Sequence, residues 1–161
     1  SRDEISNVAV ASSASNCDAF HMTQPDFSAK MAVNCIEGAL KRAGMCGVDY
    51  VNLHGTGTQA NDKMEAKAVN LTLGATFAST LKPQIGHTLG AAGAIESAIC
   101  AMLCMRENST LPPHVYEGEY DESLEAINLV KSGTKFDVKT AMSLSFAFGG
   151  DNAAIIFKRV R

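Results

Sequence analysis

A chain of 161 residues with 46% hydrophobic residues is long enough to bury a sizeable core as one domain, residues 1–161. The net charge of −3 and the absence of a basic stripe argue against a nucleic-acid partner. No apolar run is long enough to span a bilayer, which argues against a membrane protein.

In chain order, Ile5 to Ser13 predicts a strand, followed by a polar, aromatic-studded loop from Asn16 to Pro25. Helical spacing begins at Phe27 and continues through Met31, Cys35 and Ala39, with Val33, Ile36 and Leu40 widening the stripe and Gly44 as C-cap. Tyr50 to Leu53 predicts a short strand that runs into a Gly/Thr loop. A second helix, capped by Asn61 or Asp62, is expected to reach Leu73. Phe77 to Leu81 predicts another strand, and Pro83 to Gly90 a loop. Ala91 to Glu107 predicts a helix apolar on nearly all sides, hence buried. After Leu111-Pro112-Pro113, the acidic stretch from Tyr116 to Asp137 is expected to be irregular and superficial. Ala141 to Phe146 and Ala153 to Phe157, joined by the turn Phe148 to Asn152, predict an antiparallel hairpin. The alternation elsewhere argues an α/β fold with a mixed, mostly parallel sheet flanked by helices.

The five cysteines, Cys17, Cys35, Cys46, Cys100 and Cys104, are odd in number and lack framework spacing, which reads as reduced intracellular thiols. Cys100 and Cys104 lie four apart in an apolar stretch and read as core thiols rather than metal ligands, since no histidine lies near them in sequence. No metal site is expected.

Three motifs carry candidate chemistry. His54-Gly55-Thr56-Gly57-Thr58 follows a strand, where α/β sheets place ligands. Its glycines allow close backbone approach and its hydroxyls suit an extended polar chain. It is either such a site or a tight turn holding its histidine by local hydrogen bonds. A dinucleotide fingerprint fits loosely, but no acidic residue falls between Leu71 and Ile85, where that motif wants one. Lys82 to Gly93 places a lysine five residues before His87, where it would disfavour protonation of that histidine if the two are close in space. A neutral imidazole is a good donor to a developing oxyanion. Glu96 sits in an apolar helix and needs a partner if buried, for which Lys82 is the natural choice; otherwise Lys82 is solvated and Glu96 lies at a helix margin. Phe148, ahead of Gly149 and Gly150, is either an aromatic side chain on a mobile backbone or a core residue beside a plain hairpin turn.

Taken in order, these motifs resemble the elongating β-ketoacyl-acyl-carrier-protein synthases, condensing enzymes of the thiolase superfamily. Asp18-Ala19-Phe20-His21-Met22-Thr23-Gln24-Pro25 is similar to that family's Asp-Ala-aromatic-His-x-Thr-x-Pro loop, and His54 to Thr58 to its first histidine motif. Lys82 with His87 to Gly93 is similar to the second. Ala147 to Asn152 is similar to the Gly-Phe-Gly-Gly-x-Asn gate, with alanine in place of the first glycine. The resemblance covers nearly the whole chain.

It implies a thiolase-like C-terminal half, in the cytoplasm, acting in fatty-acid or polyketide assembly. The implied reaction joins malonyl-carrier protein to an acyl thioester with loss of carbon dioxide. His54 and His87 would stabilise the enolate oxygen, and Lys82 and Glu96 would support them. Thr56, Thr58 and Thr23 would bind the pantetheine arm. Phe148, with Gly149 and Gly150, would gate the acyl pocket. The implied partners are acyl carrier protein, the N-terminal half and a second copy of the full-length enzyme. No cofactor is implied beyond the phosphopantetheine that the carrier brings. No cysteine here has the strand-to-helix elbow of the family's nucleophile, so the chain alone is expected to be inactive. The alternative is a non-catalytic partner resembling a chain-length factor, which needs neither histidine.

Overall fold

The computed structural model describes residues 7–160. Val8–Cys17 forms β1, Lys30–Ala43 α1, Tyr50–Asn52 β2, Gln59–Leu73 α2, Phe77–Ser79 β3, Lys82–Ile85 α3 and Ala92–Met105 α4. Ser109–Thr110 forms β4, Asn128–Leu129 β5, Lys135–Phe136 β6, Thr140–Phe146 β7 and Asp151–Arg159 β8. Six strands make one sheet in the order β1-β8-β7-β2-β3-β5, while β4 and β6 form a small ribbon. β8 runs antiparallel to both of its neighbours, and the β7–β2, β2–β3 and β3–β5 pairs are parallel. The mixed, mostly parallel sheet and its C-terminal hairpin are therefore as expected.

The sheet is covered on both faces, which explains why its central strands are apolar on both sides. On one face Met142, Leu144 and Ile156 pack with Ile36 and Leu40 of α1 and with Met64 and Val69 of α2. On the other face Tyr50, Ala141 and Phe157 pack with Cys100, Leu103 and Cys104 of α4. Cys100 and Cys104 are thus core thiols, and all five cysteines are free.

Several boundaries move, each for a local reason. β1 extends through Cys17 because it pairs with β8 as far as Asp151, and the expected start at Ile5 lies outside the described residues. Phe27 is 43% exposed and precedes α1, so the core stripe begins later, at Ala32 and Cys35. α2 starts earlier than expected because the Thr58 side chain accepts the N–H of Asn61 and caps it. The expected loop after Lys82 contains the helical turn α3. α4 is not buried all round, since Ile95, Met102 and Met105 are 37%, 49% and 52% exposed. Within the acidic segment, β5 adds a strand to the sheet and Val130 is buried. Among the described residues, no helix is long and apolar enough to cross a membrane.

Candidate active site

β2 and β3 are parallel neighbours, so their C-terminal ends deliver the turn after Asn52 and the segment after Ser79 to the same edge of the sheet. The first turn depends on glycine. Gly55 has φ +50°, and a side chain there would overlap Thr80. The turn is also fixed from α2. The Glu65 carboxylate accepts the N–H of His54 at 2.7 Å, that of Gly55 at 2.8 Å and the Asn61 side-chain amide at 3.0 Å. Burial pushes Glu65 up to about 7 against these three bonds. Glu65 lies in none of the sequence motifs. Its signal is its place on the buried α2 face with Asn61, Ala68 and Val69, where a carboxylate must find donors.

Lys82 and Glu96 meet as expected, with Nζ 2.6 Å from Oε1 and both side chains buried. The same Nζ donates to the main-chain carbonyl of His54. Lys82 is thereby tied directly to the His54 turn. Burial first, then Lys82, then His87, lower the His54 pKa to about 4. Burial raises Glu96, and Lys82 opposes the shift. Ser143 Oγ is a buried oxygen without a hydrogen-bond partner among the described residues.

His54 and His87 stand edge to face, with ring centroids 5.6 Å apart. The Leu89 N–H donates to His87 Nδ1 at 3.1 Å. A backbone N–H can only donate, so the neutral His87 ring carries its proton on Nε2. Phe146 packs against His54 at 6.1 Å. Both histidines line a cavity of about 820 Å³, with Thr23, Thr56, Thr58 and Phe148 also on its wall. The Thr56 and Thr58 hydroxyls lie 3.1 Å apart. A smaller cavity of about 380 Å³ lies on the other side of Thr56 and His87, and Lys82 lines it too.

Phe148 is 79% exposed, which excludes the core alternative. Its turn is strapped to the loop after β1. Asp18 N–H donates to Gly150 O and Gly149 N–H to Met22 O, each at 2.8 Å. Asn152 donates to Asp18 Oδ1 at 2.6 Å. Gly149 and Gly150 have φ of +89° and +85°, and a Cβ at Gly150 would lie 3.0 Å from that of Asp18.

None of the five cysteines lines either cavity. Burial holds Cys35 and Cys104 at about 11 and raises Cys100 further, so these thiols are not thiolates. Cys17 and Cys46 are exposed, and neither stands at a strand-to-helix elbow.

A mixed sheet between helical layers, with two histidines and a buried lysine–glutamate pair at one edge, has the thiolase-like fold of the ketosynthases. Residues 8–116 match the model for the β-ketoacyl synthase C-terminal domain, and the chain belongs to that family. It is 39% identical over 149 residues to 3-oxoacyl-[acyl-carrier-protein] synthase 2 of Coxiella burnetii, a match that covers 89% of this chain and 36% of the relative. The chain thus spans about a third of the length of the curated relatives it matches. A ketosynthase (ApeO) solved with its chain length factor (ApeC) from Xenorhabdus doucetiae superposes with a TM-score of 0.89 at 36% identity, covering 97% of this chain and 40% of that one. A type II polyketide ketosynthase complex with its acyl-carrier protein (AntDE:AntF) superposes with a TM-score of 0.87 at 29% identity, covering 96% of this chain and 39% of that one.

Proposed function

We propose that this chain supplies the decarboxylating side of a β-ketoacyl-acyl-carrier-protein synthase. The observation that carries the proposal is a half-buried His54, held neutral down to about pH 4, facing His87 across one cavity. The malonyl thioester carbonyl would lie between the two imidazoles. Cleavage of the bond to the carboxylate releases carbon dioxide and leaves the electron pair as an enolate. The charge falls on the carbonyl oxygen, where neutral N–H donors are worth most. The enolate carbon then attacks an acyl-cysteine thioester, and the thiolate leaves.

The nucleophilic cysteine belongs to the two thirds of the relatives' length that this chain does not cover. The open apolar face of α4 is a surface for that remainder to cover. Thr56, Thr58 and Thr23 line the wall along which a pantetheine arm would run. Acyl carrier protein is the proposed donor, phosphopantetheine arrives with it, and the full-length enzyme acts as a cytoplasmic homodimer. The carrier complex of the superposed polyketide ketosynthase supports this assignment of partner.

The test is malonyl-thioester decarboxylation and condensation by the full-length synthase and by the chain alone. The chain alone is expected to give no condensation. In the full-length enzyme, His54→Ala and His87→Ala are each expected to slow decarboxylation by about 10²–10³-fold. Full decarboxylation in the double variant would overturn the proposal in favour of a non-catalytic partner subunit.

A further inference from the structure

Of the four histidines in the chain, His114 belongs to none of the motifs above. Its main-chain N–H donates to Val130 O at 2.9 Å, which fixes its backbone beside β5. The ring lines the smaller cavity and lies 5.6 Å from that of Tyr116. His114 Nδ1 accepts the Thr80 N–H at 3.3 Å. That bond leaves Nδ1 without a proton and places the proton of the neutral ring on Nε2. β3 ends at Ser79, so the imidazole takes over where the strand ladder stops.

Thr80 is buried and touches both elements of the histidine site. Its hydroxyl donates to Gly55 O at 3.2 Å and accepts the Lys82 N–H at 3.3 Å. Gly55 is the residue after His54, and Lys82 is the residue whose Nζ reaches the His54 carbonyl. Glu65 grips the same turn only through its N–H groups, so the Gly55 carbonyl depends on Thr80.

We propose that His114 is a positioning residue. It accepts the Thr80 N–H, and through Thr80 it sets the Gly55 carbonyl and the Lys82 backbone, hence the height of His54 in the cavity. What the positioned groups do rests on the decarboxylation proposed above. The placement itself does not. Burial lowers the His114 pKa, with Asp62 opposing, which keeps the ring an acceptor at neutral pH.

The test uses the full-length synthase containing this chain, with His114→Leu and His114→Asn. Leucine removes the acceptor, whereas asparagine offers an oxygen close to where Nδ1 stood. Two quantities are read: kcat and KM for malonyl-thioester decarboxylation, and the ring NMR resonances of His54 and His87. His114→Leu is expected to lower kcat about tenfold, with KM within about twofold, and to displace the His54 resonances. His114→Asn is expected to keep kcat within about twofold and the resonances in place. If His114→Leu does not fold, His114→Gln takes its role, because its acceptor sits one bond too far out. Unmoved His54 resonances in His114→Leu would overturn the proposal, as would an equal displacement in His114→Asn. If the wild-type enzyme does not decarboxylate, the proposed function falls while the resonances still decide the placement.

Discussion

The His54 turn and the Phe148 turn face the same cavity, but they are held in different ways. Around His54, α2 supplies Glu65, the segment after β3 supplies Thr80 and Lys82, and α4 supplies Glu96. Those side chains are buried and several are charged, so each substitution leaves an uncompensated group behind. Around Phe148 the ties to the preceding strand and loop are two main-chain bonds, the Cys17 Sγ–Gly149 O contact and the Asn152 amide on Asn16 and Asp18, with the aromatic ring in solvent. Chemistry that stabilises a developing charge needs fixed donors, and the first turn has them. If the second turn gates the acyl pocket, it needs a low cost of opening, which its lack of buried charged supports suits.

The comparison is broken most severely at Lys82. Lys82→Met leaves Glu96 buried without its partner and is expected to cost about 3–5 kcal/mol in chemical unfolding of the full-length protein. Lys82→Met with Glu96→Gln should recover much of that loss, because no lone charge remains. The single variant also removes one of the influences that lower His54, so the acid limb of decarboxylation should move to higher pH.

Glu65→Gln comes next. A glutamine has one acceptor where the carboxylate has two, so one N–H of the turn loses its partner, at about 1–3 kcal/mol. The pH dependence tells more. Glu65 is raised from 4.5 to about 7, so between those values the unfolded chain has lost a proton that the folded chain keeps. Its contribution to stability therefore falls as pH rises. His54 is lowered from 6.5 to about 4, so across that window the unfolded chain binds the extra proton and stability rises with pH. The two slopes oppose each other between about pH 4.5 and 6.5. Glu65→Gln should unmask a rising slope and His54→Gln a falling one, measured as denaturant midpoints against pH. Unchanged slopes in both variants would mean that these groups do not titrate in place.

The contrast also explains what could be read from sequence. His54, His87 and Lys82 are legible because a histidine or lysine among glycines at strand ends has few structural reasons to be there. Glu96 is legible because it interrupts an apolar helix. Glu65 and Thr80 are not, since a glutamate in an amphipathic helix and a threonine at a strand end are ordinary surface residues until tertiary contacts bury them. The element order and the hairpin follow from periodicity and turn residues. The sheet order does not, because it depends on β2 meeting β7 rather than on neighbours in the chain. The two-residue β5 is too short to leave a pattern.

The Phe148 turn predicts smaller effects. Asn152→Ala removes the buried amide that donates to Asp18 Oδ1, Asn16 Oδ1 and Gly150 O and leaves the two main-chain bonds to the preceding loop intact, at a cost of about 1–2 kcal/mol. Hydrogen exchange at Gly149 and Gly150 should speed up by more than it does anywhere near His54.

Phe148→Ala should change stability by less than about 0.5 kcal/mol, because a ring 79% exposed loses little burial when removed. If Phe148 gates the pocket, the same substitution should alter acyl-transfer kinetics while leaving malonyl decarboxylation within about twofold, since the His54 turn is held by other elements. That separation of the two half-reactions is the sharpest form of the comparison. An equal loss in both would mean that the exposed turn and the buried one work as a single unit, coupled where Phe146 packs against His54 two residues before Phe148.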